Sequence, residues 1–367
     1  MDSDFLGQSE SSDFRSRIFM TNLLKKILAR KMLALAPRAL SRPLALLDIG
    51  ARGGLQWPWD RIAQDQLDVI LVEPDPVEAE RLKKACAREG RGSVIPSALW
   101  RDRTTLHLNM NLSPGTSSVF PANRSLLDQF PDSDRYGRVS TIDLPAQTID
   151  QLAAAGQLRH IDFAKIDVQG AELAILEGGA DFFARNLIGL EVEVEFCELY
   201  TGQPLFAEVD AYARGLGLEL WDLKKTYWKY KRGRHVPGPV KGRLMFGDAL
   251  YFRSLTGLAS WLSSMDDTAA TEKIVMLVTS ALAYGYVDYA DAVVNEASLA
   301  RYLNVDTLKG LQQNIRSMGA GFRPFSNGNS HLFMIFDLLA RVFKPTHGGW
   351  ASVGRELGSH RRGPFWC

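Results

Sequence analysis

LLDIGARGG, residues 46–54, is an apolar run that ends in a glycine-rich turn. Gly50 and Gly54 let the backbone turn sharply and come close to a ligand, which a Cβ would block. At the end of the next apolar run stands Glu73, in LVEPDP. An acidic side chain there, about 20 positions beyond the turn, can accept hydrogen bonds from both ribose hydroxyls of a nucleoside. Together the two features signal a nucleoside cofactor. A dinucleotide would need G-x-G-x-x-G, so that helix amides reach a pyrophosphate. Here the glycines are spaced G-x-x-x-G and Asp48 precedes them. A carboxylate suits a ligand carrying an ammonium and a sulfonium, so S-adenosylmethionine fits better than NAD. A nucleotide-free sheet that only needs tight turns is the competing reading.

Outward from this turn, short apolar runs alternate with helical stretches. Leu44 to Gly50, Val69 to Glu73, Val94 to Leu99, Phe163 to Val168, Ile188 to Phe196, Leu218 to Leu223 and Leu244 to Phe252 read as strands. Pro76 to Glu89, Ala171 to Glu177 and Leu205 to Arg214 read as helices between them. Such alternation means βαβ units and a parallel, doubly wound α/β sheet. Residues 100–160 form an insertion after the third strand, with strand-like pieces at Thr104 to Met110 and Val139 to Leu144. Beyond Thr256 the strand signal stops. Helical stretches such as Glu272 to Tyr284 and His331 to Phe343 then predict a small helical domain. The expected division is 1–43 polar tail and helix, 44–254 sheet domain, 255–345 helical domain, and 346–367 basic tail.

Residues 14–42 carry eight basic residues and no acidic one. Met20, Leu24, Ile27, Leu28, Met32 and Leu35 fall at helical spacing opposite Lys25, Lys26, Arg30 and Lys31. This basic amphipathic helix either docks on the following domain or, through residues 14–36, lies on an anionic membrane face. The composition is 23% charged and 46% hydrophobic, which excludes a disordered chain. Lys plus Arg number 43 against 42 for Asp plus Glu, so net charge gives no argument for nucleic acid. Three cysteines without a pairing pattern speak against a disulfide scaffold. No apolar run reaches the 18 residues of a membrane span. The expected location is cytoplasmic, with peripheral contact at the inner membrane face left open.

A resemblance narrows the reading. Asp48-Ile49-Gly50-Ala51, Glu73-Pro74-Asp75-Pro76, KIDVQGAE at 165–172 and Glu177-Gly178 are similar to the FkbM-type methyltransferase family. Val192-Glu193-Val194, Leu199-Tyr200 and GQPLF at 202–206 extend the likeness, which covers roughly residues 44–254. It implies a class I, Rossmann-like methyltransferase sheet of seven strands, the last antiparallel. It also implies O-methylation of a hydroxyl, commonly on a sugar or polyketide-like acceptor. The family commonly has Asn where this chain has Arg52, and Glu where it has Gln169. No catalytic role is therefore assigned to position 169.

Methyl transfer to an alcohol needs acceptor, methyl and sulfur in line, and a base for the hydroxyl proton. Candidates belong at the carboxyl ends of the central strands. Asp167, Glu193 and Lys165 are the expected catalytic residues. Glu191, Glu193 and Glu195 should share one strand face, with at least one turned to the cleft. Asp48, Gly50, Ala51, Gly54 and Glu73, with Ser97 and Ala98 in the third strand, are the expected S-adenosylmethionine contacts. No metal is expected. Ser118 and Tyr200 are expected on the acceptor side. So are Lys229, Lys231, Arg232 and Arg234, from an aromatic-rich basic loop at Lys224 to Arg243. That loop implies an anionic small-molecule, glycan or glycolipid acceptor. Nucleic acid is not an expected partner, and homo-oligomer formation stays open. The competing functions are methylation of a natural product or RNA, and a silent methyltransferase fold serving as an assembly subunit.

Overall fold

A computed structural model of the protein describes residues 42–233, 242–319, 330–343, 350–354 and 357. The expected helix of residues 14–36 and Arg234 lie outside them.

The chain enters through β1 (Leu44–Ile49), β2 (Leu67–Val72), α1 (Pro76–Glu89) and β3 (Ser93–Ile95). The insertion follows as β4 (Ala98–Leu99), β5 (Thr104–Asn111) and β6 (Arg138–Gln147). Then come α2 (Ile149–Ala154), β7 (Phe163–Ile166), α3 (Glu172–Gly178), α4 (Ala180–Asn186) and β8 (Gly189–Glu195). The sheet is completed by α5 (Phe206–Gly215), β9 (Leu218–Trp228) and β10 (Arg243–Arg253). Helices α6 (Leu255–Leu262), α7 (Asp267–Ala283), α8 (Val287–Asn295), α9 (Val305–Gly319) and α10 (Ser330–Val342) precede the short β11 (Ala351–Val353).

The main sheet has the order β11-β9-β10-β8-β7-β1-β2-β3. β1, β2, β3, β7 and β8 are parallel, and β10 runs antiparallel to both β8 and β9. This is the expected seven-strand sheet with one reversed strand. An eighth, β11, is added at the β9 edge. The strand order reverses between β1 and β7, and the crevice at their carboxyl ends is where open α/β sheets bind ligands.

One expected strand divides in two. Within residues 94–99, Pro96 supplies no N–H and so cannot continue the ladder. β3 stops before it, and β4 joins β5 and β6 in a separate three-stranded sheet. The insertion thus leaves the main sheet and returns over its carboxyl edge. It is sealed there by Leu127, Phe130, Tyr136, Tyr200, Trp228 and Met245.

The helices after residue 255 are not a separate domain. Side chains of β1 alternate with period two between faces: Leu44 and Leu46 enter one core, Leu47 and Ile49 the other. Helices α7 to α9 supply the outer half of the first core. Tyr284 stacks on Phe163 at 5.7 Å, and Trp59 lies 4.7 Å from the same ring. A helix buried on nearly every side, as α7 is, belongs inside a larger core. Lys273 of α7 reaches the sheet and donates to Asp162 Oδ1 at 2.7 Å, while Arg42 pairs with the same carboxylate at 2.6 Å. Burial pushes Asp162 up, but Arg42 and Lys273 prevail and hold it below its ordinary value. Among these helices α10 stands apart, with Phe333, Ile335 and Phe336 more than half exposed.

A chain ended at Arg253 should therefore lose its cooperative thermal transition by circular dichroism, since Phe163, Phe252 and Trp59 would face water. A sharp transition in that shortened chain would show the helices to be dispensable.

Candidate active site

The turn after β1 holds Gly50, Gly53 and Gly54 at φ of 79°, 88° and 83°. Gly50 was expected to make room for a ligand. In fact a Cβ on Gly50 would lie 1.9 Å from the Asp167 carbonyl oxygen. The residue lets the ends of β1 and β7 close on each other. Gly53 is exposed: a Cβ there would meet nothing within 4 Å, and its amide donates to Glu78 Oε1 at 3.0 Å. The amides of Gly50 and Ala51 are both spent on the Val72 carbonyl, at 3.0 and 3.2 Å.

At the end of β2, Glu73 is buried and its Oε1 accepts from the Asp75 amide at 2.9 Å. Burial raises its pKa, against the pull of that amide and of Arg52. Arg52 bonds to Asp75 Oδ2 at 2.6 Å and stands 3.9 Å from Glu73. Ser97 follows the Pro96 break, its Oγ accepting from Gln147 at 3.1 Å, and Ala98 is buried in β4. The expected cofactor residues thus stand at the carboxyl ends of adjacent strands, with Asp48 just inside β1.

Lys165 is buried between two carboxylates, 3.7 Å from Asp48 and 3.8 Å from Asp167. Burial alone would lower its pKa. Asp48, Asp167, Glu191 and Asp248 instead hold it above the usual lysine range. It therefore stays protonated and serves as a fixed positive charge. Asp48 is pushed up by burial, and its Oδ1 has no hydrogen-bond partner.

The turn after β7 is organised by Gln169, a non-glycine residue at φ 60°. Its Nε2 donates to Glu193 Oε2 at 2.6 Å and faces Asp167 Oδ1 at 3.1 Å. The Tyr200 hydroxyl lies 2.9 Å from Gln169 Oε1 and 2.9 Å from the Thr116 carbonyl. Ser118 Oγ donates to the Gln169 carbonyl at 2.7 Å. Glu172 accepts from the amides of Val168 and Gly170, both at 2.9 Å, and burial lifts its pKa to about 7. Burial, then neighbouring carboxylates, raise Glu193 and Glu195 well above the ordinary glutamate value.

Three expectations change here. At least one of Glu191, Glu193 and Glu195 was expected to face an open cleft, whereas β8 is buried along its whole length. Glu191 accepts from Tyr284 of the helical layer at 2.5 Å, and only Glu193 is hydrogen-bonded to the turn side chain. Ser118 and Tyr200 are buried and hold Gln169, where an acceptor-lining position was expected. The basic connection is also shorter than expected. β9 runs through Trp228, which puts Lys224, Lys225, Tyr227 and Trp228 in the sheet, and Lys224 pairs with Asp248 at 2.9 Å. Lys229 is buried, Lys231 Nζ lies 3.3 Å from Ser133 Oγ, and Arg232 is exposed. Among the described residues, no group of three or more His, Cys, Asp or Glu is placed to hold a metal ion. Nor is any helix long and apolar enough to cross a membrane.

Sequence reasoning missed Gln169, Glu172 and the insertion residues Arg135 and Tyr136. The first two lie inside the quoted 165–172 motif, so their position was a signal. For Arg135 and Tyr136 no local pattern marks the role.

Residues 48–220 match the methyltransferase FkbM domain family. This stretch is an FkbM methyltransferase domain. None of the curated proteins compared with the chain matches it. Among solved structures, methyltransferase FkbM from Methylobacillus flagellatus is 14% identical, with TM-score 0.33, over 57% of this chain and 43% of that one. This chain therefore spans less than half the length of that protein. A SAM dependent methyltransferase from Aquifex aeolicus is 11% identical over 58% and 85% of the two chains, with TM-score 0.26. The N-terminal domain of EvdMO1, solved in the presence of SAH and D-fucose, is 9% identical over 57% and 76%, with TM-score 0.30.

Because its Cβ would collide with backbone, Gly50→Ala in this FkbM domain should cost at least about 2 kcal/mol of stability in urea unfolding. Unchanged stability with lost ligand binding would restore a purely ligand-facing role.

Proposed function

We propose that the FkbM domain is an S-adenosylmethionine-dependent O-methyltransferase acting on a hydroxyl of a glycan, glycolipid or related metabolite. The observation that carries this reading is the Asp167–Gln169–Glu193 cluster at the carboxyl ends of β7 and β8. It stands beside the glycine turn, at the reversal of strand order.

The residues present fit the donor. Glu73 sits at the strand end, where a ribose would be held, and the space over Gly53 is open. The buried Asp48 Oδ1 is without a hydrogen-bond partner, and the Lys165 ammonium stands 3.7 Å from it. When bound, S-adenosylmethionine supplies an electrophilic methyl group on a sulfonium. Glu193 takes the hydroxyl proton. Burial and neighbouring carboxylates raise its pKa and make it a stronger base than free glutamate. Gln169 aims the Glu193 carboxyl and keeps Asp167 beside it. Lys165 offsets the negative charge of Asp48 and Asp167 without titrating.

S-adenosylhomocysteine at 100 times its dissociation constant should stabilise the full-length protein by about 2.7 kcal/mol. No stabilisation would favour a silent assembly subunit. Glu193→Gln should bind S-adenosylhomocysteine within a few-fold of wild type. It should transfer labelled methyl to a cell-derived glycolipid extract at least about 100-fold more slowly. In wild type, transfer should fall as pH drops through a value above 4.5, because the raised Glu193 pKa removes the base form there. Retained transfer in the variant would return Glu193 to a structural role.

A further inference from the structure

The insertion between β5 and β6 lies directly on the 167–170 turn, through Ser118 on Gln169 and Thr116 beside the Tyr200 hydroxyl. The same segment carries Arg135. Its backbone is pinned by two bonds to its carbonyl, from the Ser113 amide at 3.0 Å and the Thr116 hydroxyl at 3.1 Å. Its guanidinium carbon lies 5.0 Å from the Tyr136 ring, 5.0 Å from Trp228 and 5.3 Å from Trp350. The rings are fixed in turn: Trp228 packs edge-on to Trp350 at 5.4 Å and to Phe130 at 5.6 Å.

A guanidinium has five N–H donors. Among the described residues, Arg135 spends one, from Nη2 to the Tyr136 hydroxyl at 3.3 Å. Its Nε is buried without a hydrogen-bond partner, and no described carboxylate lies within ion-pair distance. The buried Arg253 spends its donors on the carbonyls of Leu187, Leu216 and Ala184, whereas the half-buried Arg135 has no such set among the described residues. Three ring faces attract the charge of Arg135 but leave its planar fork of donors unspent.

The position relative to the reaction is also specific. Tyr136 lies 5.9 Å from Tyr200, whose hydroxyl meets the amide that bridges Asp167 and Glu193. The carboxylates Asp167, Glu172, Glu193 and Glu195 would repel an anion approaching this end of the sheet. A fixed cation beside them reverses that locally. Lys231, on Ser133 two residues from Arg135, adds a second positive charge at the same edge.

We propose that Arg135 receives an anionic substituent, a carboxylate or phosphate, on a ring-shaped methyl acceptor. Trp350, the half-buried ring of the three, forms the wall against which that ring packs, while the buried Tyr136 and Trp228 hold the guanidinium from the core side. The inference rests on the methyltransferase reading above and assigns the acceptor's chemical class and its receptor. Bidentate pairing with an oxyanion would use the unspent donors.

The test uses full-length protein saturated with S-adenosylhomocysteine and reads tryptophan fluorescence. The probes are D-glucuronate and D-glucose 6-phosphate, with D-glucose as the neutral control. At least one anionic sugar should bind saturably and more tightly than glucose. Arg135→Met should weaken that binding roughly 10-fold or more, the usual worth of a charged hydrogen bond. Arg135→Lys, which keeps the charge without the fork, should recover part of it. S-adenosylhomocysteine affinity should stay within about twofold in both variants. Three results would overturn the proposal: no binding of either anion, equal binding of anions and glucose, or anion affinity unchanged in Arg135→Met. If wild type binds the anions through Arg135 but not S-adenosylhomocysteine, the methyltransferase reading fails and the anion site stands.

Discussion

The side-chain amide of Gln169 is the interaction on which the site depends. Two carboxylates, Asp167 and Glu193, approach each other at the ends of neighbouring parallel strands, with Glu172 and Glu195 close by. A buried carboxylate such as Glu193 is costly beside a like charge unless it is hydrogen-bonded or neutralised. One amide nitrogen facing both carboxylates, with its oxygen on Tyr200, lowers that cost and fixes the spacing. The left-handed backbone of Gln169 is what brings the amide into place, and Ser118 holds its carbonyl. The insertion is therefore part of the site, because Ser118, Thr116 and Tyr136 all come from it.

The opposite end of the sheet shows the same economy of charge. Asp162 is fully buried at the entry to β7, and two cations from distant segments, Arg42 and Lys273, converge on it. Breaking such a pair by removing one partner leaves an uncompensated buried charge. This ties α7 to the sheet in addition to its apolar packing. The aromatic layer of Trp59, Phe163, Phe252 and Tyr284 then closes one face of the sheet, leaving the carboxyl edge for chemistry.

Much of this was legible in the sequence, for physical reasons. Strand–helix alternation marked the sheet and the full span of α1, because local patterning and burial agree there. That Asp48, Glu73, Asp167 and Glu193 lie in or next to strands was also legible, since they adjoin the apolar runs that form β1, β2, β7 and β8. What failed was non-local. Pro96 breaks a strand only because a second sheet is available to take Ala98 and Leu99. The helices after 255 look independent in sequence, since nothing local reveals that their apolar side faces β1, β7 and β10. Gly50 looked like a ligand position because the Asp167 carbonyl that crowds it lies 117 residues away. Gln169 was given no catalytic role because it lacks the carboxylate of the family's glutamate, and its use as a donor appears only once Glu193 is opposite.

The most direct measurement is the unfolding free energy of Gln169→Leu and wild type at pH 5 and pH 8. Leucine at a left-handed position carries a cost that does not depend on pH. Losing the donor should add a cost that does, because the amide supports the charged form of Glu193, whose pKa burial has raised. The account predicts a deficit that grows from pH 5 to pH 8 by about 1.5–3 kcal/mol, the worth of hydrogen bonds to charged groups. A deficit of the same size at both pH values would contradict it, since Gln169 would then fill space without holding the carboxylate pair.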